Sequence, residues 1–285
     1  MLKGIVIAAS GTGLLKETLT RENLPWNEPE HLEPEDFLKA LRKLGADKKE
    51  VLCLVETDRE EKIALELGLF CVGYLNPDLP KEHLSGCRIL LEGFQEIDRN
   101  FLENVHTRAM GLPVLIAETK RLLIREMTLS DLDEINALYQ EAPSASLSPE
   151  FALNRQEEEE KIKAYIAYMY GLYQFGMWVV IEKKSQELIG RAGFGFADYL
   201  NFTEIDMGYL IGKKYRHQGY GEEACRAALA YGRQELDFPG VSAYIEQENN
   251  SSLRLIEKLG FSRKQSFDYH ERHLCRYRLE FNHCI

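Results

Sequence analysis

Along the first 115 or so residues, short continuous apolar runs alternate with stretches whose apolar residues recur every three or four positions. The runs GIVIAAS, EVLCLVE, FCVGYL and CRILLE read as strands, and PEDFLKALRKLGA, REEKIALELG and IDRNFLENVHTRAMG read as helices. Phe37, Leu38, Leu41 and Leu44 fall on one helical stripe, while Val51 to Val55 is the kind of run that is buried on both faces. Gly45 and Gly68 stand where helices should stop. Strand, helix and strand in repetition predict an α/β domain with a parallel sheet.

The pattern changes around GLPVLIAETKRLLIREM, which places a domain boundary near residue 118, with domains at 1–118 and 119–285. A strand Leu122 to Arg125 precedes TLSDLDEINALYQ, where Thr128 or Ser130 is positioned to cap a helix whose first turn carries Asp131 and Asp133. APSASLSPE is a polar loop, and Ile162, Tyr165, Ile166, Met169 and Tyr170 then form one stripe of a helix. That aromatic stripe reads first as a core face and second as a wall for an acceptor pocket. MWVVIEKKSQELIGRAGFGF reads as a hairpin turning at Lys184 to Glu187. The strand TEIDMGYLIG, the turn KKYRHQGYG, a helix to about Glu235, the strand VSAYIEQ, the helix SSLRLIEKLG and a closing strand pair complete the chain.

Composition narrows the class. With 45% hydrophobic and 28% charged residues, 285 residues suffice for two packed cores. A formal charge of −11 argues against a nucleic-acid partner, because phosphate backbones call for clustered Lys and Arg. The acidic run Glu157 to Glu160 reads as a solvated helix face. Apolar runs such as Met177 to Ile181 fall far short of the ~20 residues that span a bilayer, and no secretory signal is recognisable, so a cytoplasmic protein without a membrane partner is expected. Cys53, Cys71, Cys87, Cys225, Cys275 and Cys284 form no CxxC pair, and His270 and His273 of HERH lack a third ligand nearby, so no metal site is expected.

The chemistry concentrates at Arg216-His217-Gln218-Gly219-Tyr220-Gly221, between an apolar strand and a helix. Glycines at this spacing allow a tight turn whose N–H groups converge, reinforced by the positive end of the helix, as a pyrophosphate site requires. Together with NNSSLRLIEKLGF further on, the segment IDMGYLIGKKYRHQGYGEEACRAAL resembles the GNAT family of acyl-CoA-dependent N-acetyltransferases over residues ~120 to 280. RLLIREMTLSDLDEI and MGYLIG are similar to its branch of ribosomal-protein N-terminal acetyltransferases.

The resemblance implies a mixed-sheet α+β domain in which the strand Glu204 to Ile211 splays from its neighbour. Backbone groups at Leu210 and Ile211 would bind the pantetheine arm, and Arg216, His217, Gln218, Gly219, Tyr220 and Gly221 would cradle the pyrophosphate. Asn249 would touch the pantetheine portion, and Ser252 would face the thioester sulfur. An ammonium must lose a proton before it attacks a thioester, so a carboxylate has to accept it. Glu204 and Asp206 point to the same strand face, and Asp206 matches the acidic position before Gly208-Tyr209, which makes it the first choice of base. The backbone N–H of Leu210 is the candidate oxyanion donor. The tyrosine that many members place seven residues beyond the asparagine is here Ile256, which leaves Ser252, Tyr209 or Tyr220 as the acid.

The front half resembles a Rossmann-like, capless haloacid-dehalogenase-type (HAD-like) domain, through PEDFLKALRKLGADKKEVLCLVETDREEKIALELGLFCVGY. Where that family carries D-x-D-G-T, this chain reads Ala8-Ala9-Ser10-Gly11-Thr12, and the later metal-binding aspartate is replaced at Glu56-Thr57 or displaced to Asp58. Without those carboxylates no aspartyl-phosphate forms and magnesium loses its hard ligands. The expectation is a non-catalytic front domain joined to an N-acetyltransferase that uses acetyl-CoA and no metal. Its acceptor would be a small-molecule or peptide amine, and the chain would be a monomer or homodimer. The alternative is an acyl-CoA-binding sensor whose front half holds a second ligand or partner.

Overall fold

The computed structural model describes residues 1–141, 155–270 and 272–281; the segment APSASLSPE and Cys284 lie outside them. It divides into two compact units, Met1–Val114 and Leu115–Ile285.

In the first unit, β1 (Gly4–Ile7), β2 (Trp26–Asn27), β3 (Val51–Val55), β4 (Phe70–Tyr74) and β5 (Leu90–Leu91) form a sheet of order β2-β1-β3-β4-β5. Every neighbouring pair is parallel. All five residues of β3 are buried, as a central parallel strand requires. Helices α1 (Gly13–Arg21), α2 (Pro34–Leu44), α3 (Asp58–Glu66) and α4 (Arg99–Ala109) complete the unit. Proline at the first position of α2 and Gly45 in the left-handed region at its end mark that helix. A reciprocal capping box between Thr57 and Glu60 starts α3. Sequence patterning missed α1 and β2, because α1 buries only Leu15, Thr18 and Leu19 and β2 is two residues long.

The second unit is built on an eight-stranded sheet. It comprises β6 (Leu115–Glu118), β7 (Leu122–Arg125), β8 (Met177–Glu182), β9 (Leu188–Ala197), β10 (Glu204–Ile211), β11 (Gly240–Glu246), β12 (Ser262–Tyr269) and β13 (Arg272–Glu280). The order is β12-β13-β11-β10-β9-β8-β7-β6. Because β6 pairs with β7, the division between the units falls at 114/115, ahead of the boundary read near residue 118. Among the described residues, four helices accompany the sheet: α5 (Leu132–Gln140), α6 (Arg155–Tyr165), α7 (Tyr220–Gln234) and α8 (Asn250–Lys258). Thr128 caps not α5 itself but a 3-10 turn at Leu129–Asp131 that leads into it. α6 runs on into a π-helical turn at Ile166–Tyr170, so the aromatic stripe is not one regular helix. Its core face nonetheless holds: Ile162, Met169 and Tyr170 are buried.

One sheet face carries Trp178 and Phe194, which pack edge-on against each other, and Trp178 also packs edge-on against Tyr231 of α7. Burying side chains of this size stabilises the unit by roughly 1.5–3 kcal/mol each. The opposite face carries Arg191, buried beneath Tyr139 of α5, and Leu210, packed on Leu138. β10 and β9 pair along eight registered positions, Glu204↔Ala197 to Ile211↔Gly190. By contrast, β10 and β11, the parallel pair of this sheet, are joined at the single position Asp206↔Ser242. The two central strands therefore part on leaving Asp206, which is the splay expected from the sequence.

Candidate active site

Two features meet in the second unit: a bare cradle of backbone N–H groups and a buried carboxylate at the point where β10 and β11 part. The cradle follows β10. A 3-10 turn at Lys213–Tyr215 leads to Arg216, after which His217 and Gly219 take φ of 61° and 81° and α7 begins at Tyr220. Gly219, the N-cap of α7, offers no side-chain cap. No backbone N–H from His217 to Glu222 has an acceptor among the described residues. Such a row of free donors at the start of a fifteen-residue helix suits a diphosphate.

Sequence reasoning missed the residues that hold this turn open. Arg121, one residue ahead of β7, donates from Nη1 to the Gln218 carbonyl at 2.9 Å and lies 4.1 Å from the centroid of the Tyr220 ring. Glu223 receives Arg121 Nε at 2.6 Å, the Arg121 backbone N–H at 3.0 Å and Thr119 Oγ1 at 2.7 Å. This engagement cancels a charge that would repel a diphosphate and lowers the Glu223 pKa against the opposing effect of desolvation. Glu222 is likewise matched, by Arg226 at 3.0 Å and Lys258 at 2.5 Å. The sequence offered the signal of two glutamates in a first turn meant for an anion, a conflict that only partner cations resolve. Arg216 does not reach over the cradle: its Nε donates to the Ile211 carbonyl at 2.9 Å, which fits a positioning role and takes up one backbone group expected to be open to the pantetheine arm.

At the parting point, Asp206 Oδ1 is buried and accepts no hydrogen bond. Burial pushes the Asp206 pKa well above the ordinary carboxylate value, and the neighbouring charge of Glu204 adds to this. The backbone N–H groups of Tyr244 and Met207 pull the other way and lose. Glu204 is a different case. It receives Arg276 Nε at 2.7 Å and Arg276 Nη2 at 2.8 Å, it also accepts from the Tyr244 hydroxyl, and Arg278 lies 3.6 Å away. Against an opposing desolvation effect, these partners hold its pKa at about 2. A carboxylate so stabilised is a weak base, so of the two acids that share this face only Asp206 is equipped to take a proton.

The depressed pKa of Glu204 makes a stability prediction. Its ion pair contributes above the ordinary carboxylate pKa of 4.5 and is lost as the pH falls towards 2. Glu204→Gln is expected to remove roughly 2–3 kcal/mol at neutral pH, because Arg276 is left uncompensated, and to flatten the acid limb between those values. Denaturant unfolding across the pH range measures both; equal stabilities at pH 7 would refute it.

On the other face of β10, Tyr209 sits beside Ser252 with its hydroxyl buried. Burial raises the Tyr209 pKa, which keeps its proton in place. Ser252 lies inside the first turn of α8. Asn249 is the N-cap of α8, and its Oδ1 accepts from the Ser252 N–H at 3.2 Å and from Ser251 Oγ at 3.0 Å. Ile256 is fully buried core, so that position supplies no acid. Tyr220 lies under Arg121 at the cradle.

In the first unit, the carboxyl edge of the sheet holds a closed polar cluster. Ser10 donates from N and Oγ to Glu56 at 2.9 and 3.0 Å, and Asn76 Nδ2 donates to Glu56 at 2.7 Å. Asp58 is spent on the backbone N–H groups of His83 and Leu84, at 3.0 and 2.8 Å. Among the described residues, no group of three or more His, Cys, Asp or Glu is placed to hold a metal, and no helix is long and apolar enough to cross a membrane.

Residues 121–262 match the family profile described as Acetyltransferase (GNAT) domain. The chain is 33% identical over 88 residues to the uncharacterized protein YkkB of Bacillus subtilis, covering 31% of this chain and 51% of YkkB, so the match spans about half of that relative. It is 27% identical over 152 residues to the uncharacterized N-acetyltransferase YoaA of the same organism, covering 52% of this chain and 84% of YoaA. Among solved structures, RimL, a ribosomal alpha-N-protein acetyltransferase in complex with coenzyme A, superposes with a TM-score of 0.50 at 15% identity, covering 59% of this chain and 98% of RimL. The matched residues lie wholly within the second unit, and the parallel sheet of the first unit fits the α/β expectation without supporting its HAD-like assignment. Residues 121–262 are a GNAT acetyltransferase domain.

Proposed function

We propose that the protein is an acyl-CoA-dependent N-acetyltransferase that moves the acetyl group of acetyl-CoA to a primary amine, by direct attack in a ternary complex. One observation carries this reading: Asp206, with its buried and unpartnered Oδ1, stands where the strand pair opens towards the bare N–H cradle. The cradle of residues 216–221 takes the diphosphate, Arg121, itself held by Glu223, ties down the Gln218 carbonyl, and the backbone at Leu210 and Ile211 flanks the pantetheine arm. RimL, solved with coenzyme A, supports the choice of donor.

Asp206 takes a proton from the incoming ammonium, and the freed lone pair forms the C–N bond at the thioester carbon. Collapse of the tetrahedral centre breaks the C–S bond. Nitrogen gives up a second proton and sulfur gains one, with Tyr209 and Ser252 placed to supply it, so that amide, free coenzyme A and one released proton result. The acceptor is a small-molecule or peptide amine, and the setting is cytoplasmic, which suits the free thiols of the described cysteines. Calorimetry with acetyl-CoA, followed by thiol release across a panel of peptide N-termini, polyamines and arylalkylamines, is expected to show binding and turnover. Absence of both would overturn the proposal.

We also infer that the first unit is a capless, HAD-like domain without hydrolytic activity. Ala8 stands in the nucleophile's place, and Glu56 and Asp58 are committed to loop contacts. No magnesium-dependent hydrolysis of p-nitrophenyl phosphate is expected; measurable hydrolysis would overturn this assignment.

A further inference from the structure

Beside Asp206 the sheet face is bare. Its register partner on β9 is Gly195, where a Cβ would meet nothing within 4 Å. Two positions further along β10, a Cβ at Gly208 would meet only the thioether of Met177, at 3.0 and 3.3 Å. Glycines inside strands mark places where something else approaches the backbone closely, and these two leave a slot next to the carboxylate with Met177 on its β8 side.

The β11 side of the slot is aromatic. Tyr244, whose backbone N–H donates to Asp206, packs its ring 4.8 Å from Tyr199 in the loop after β9, and Tyr199 packs edge-on against Tyr269 of β12 at 4.8 Å. Phe267 stands edge-on to Tyr244 at 6.0 Å. Tyr244 is buried, but Tyr199 and Tyr269 are only half-buried, so part of each ring stays open to a ligand. Burial raises the Tyr199 pKa and the charge of Asp206 adds to it, so this ring and the carboxylate share one space. Of the other acids nearby, Glu204 is taken by Arg276, and Asp198 is exposed to solvent, where a second ammonium would gain little. A lone usable carboxylate against ring faces and a thioether suits one positive charge on a flat apolar body.

We propose that Tyr199, Tyr244 and Tyr269 select the acceptor, and that the acceptor is an ammonium bearing an aromatic ring on a short alkyl chain, its nitrogen at Asp206 and its ring against Tyr199 over Gly195. Free arylalkylamines and peptides that begin with phenylalanine share this chemistry.

This inference rests on the acetyl-transfer reading, and the two fail differently. The experiment measures kcat/KM with acetyl-CoA in the full chain for phenethylamine, propylamine, spermidine and two peptides that begin with phenylalanine or alanine. The wild type is expected to favour phenethylamine over propylamine, and the phenylalanine peptide over the alanine one. Whichever ring-bearing acceptor is faster identifies the source. Tyr199→Ala should shrink the ring preference by about three- to tenfold, the worth of one aromatic contact, and Tyr199→Phe should keep it. Acetyl-CoA affinity by calorimetry should stay unchanged in both. Gly195→Val fills the slot without a clash and provides a test that does not depend on removing a packed ring. It should raise the phenethylamine KM about tenfold, again with acetyl-CoA affinity unchanged. Turnover without a ring preference, or with spermidine preferred, would overturn the inference while leaving acetyl transfer standing. A preference retained in Tyr199→Ala, or an unchanged KM in Gly195→Val, would place the acceptor elsewhere and equally overturn it. If the wild type neither binds acetyl-CoA nor releases thiol with any amine, the acetyl-transfer reading falls first and this inference falls with it.

Discussion

Asp206→Asn is expected to lower kcat/KM by roughly 10²–10³, within the usual worth of a general base, while the affinity for acetyl-CoA stays unchanged. The change is close to isosteric and keeps the backbone N–H partners of the side chain; it removes only the capacity to hold a proton. In the wild type, the raised Asp206 pKa leaves the group protonated at low pH, so kcat/KM should climb as the carboxylate forms. The asparagine variant should lose that ascending limb. Stability should move the other way. A carboxyl with a raised folded pKa binds its proton more tightly folded than unfolded, so its ionisation draws stability from the fold as the pH rises through the folded value. Above that pH, Asp206→Asn should be more stable than the wild type. A variant that kept both its rate and its pH limb would remove Asp206 from the chemistry.

The parts of this protein that were legible in its sequence are those where one local rule acts alone. The continuous run Val51 to Val55 became a central strand, and Gly45 and Gly68 ended their helices at φ of 60° and 73°. The turn Arg216 to Gly221 could be read because glycine spacing, a preceding apolar strand and a following helix all agree. Less could be read where function depends on residues far apart in the chain. Glu204 and Asp206 looked equivalent as two acids on one strand face; it took Arg276 and Arg278, on a strand some seventy positions later, to lower one pKa while burial raised the other. Arg121 was unreadable for the same reason, because its partners, Gln218 and Glu223, lie across the sheet unit from it in sequence.

Gly219→Val should weaken acetyl-CoA binding by about 100-fold or more, the largest effect expected on the donor side. At φ of 81° a residue with a Cβ is strained, and a β-branched one most of all. A Cβ at this position would also come within 3.4 Å of Arg121 Nη2, the group that steadies the turn through the Gln218 carbonyl. Relief of the strain requires the backbone to rotate, and rotation turns the free N–H groups of residues 217 to 222 away from a common point. Gly221→Ala tests whether bulk alone is responsible. Its φ is not positive, and a Cβ there would find ordinary contact at 3.5 Å with Ile211 and Leu255, so the loss should stay within about tenfold. Calorimetric titration with coenzyme A reads both variants. Unchanged affinity in Gly219→Val, with the fold intact by circular dichroism, would place the diphosphate somewhere other than this turn.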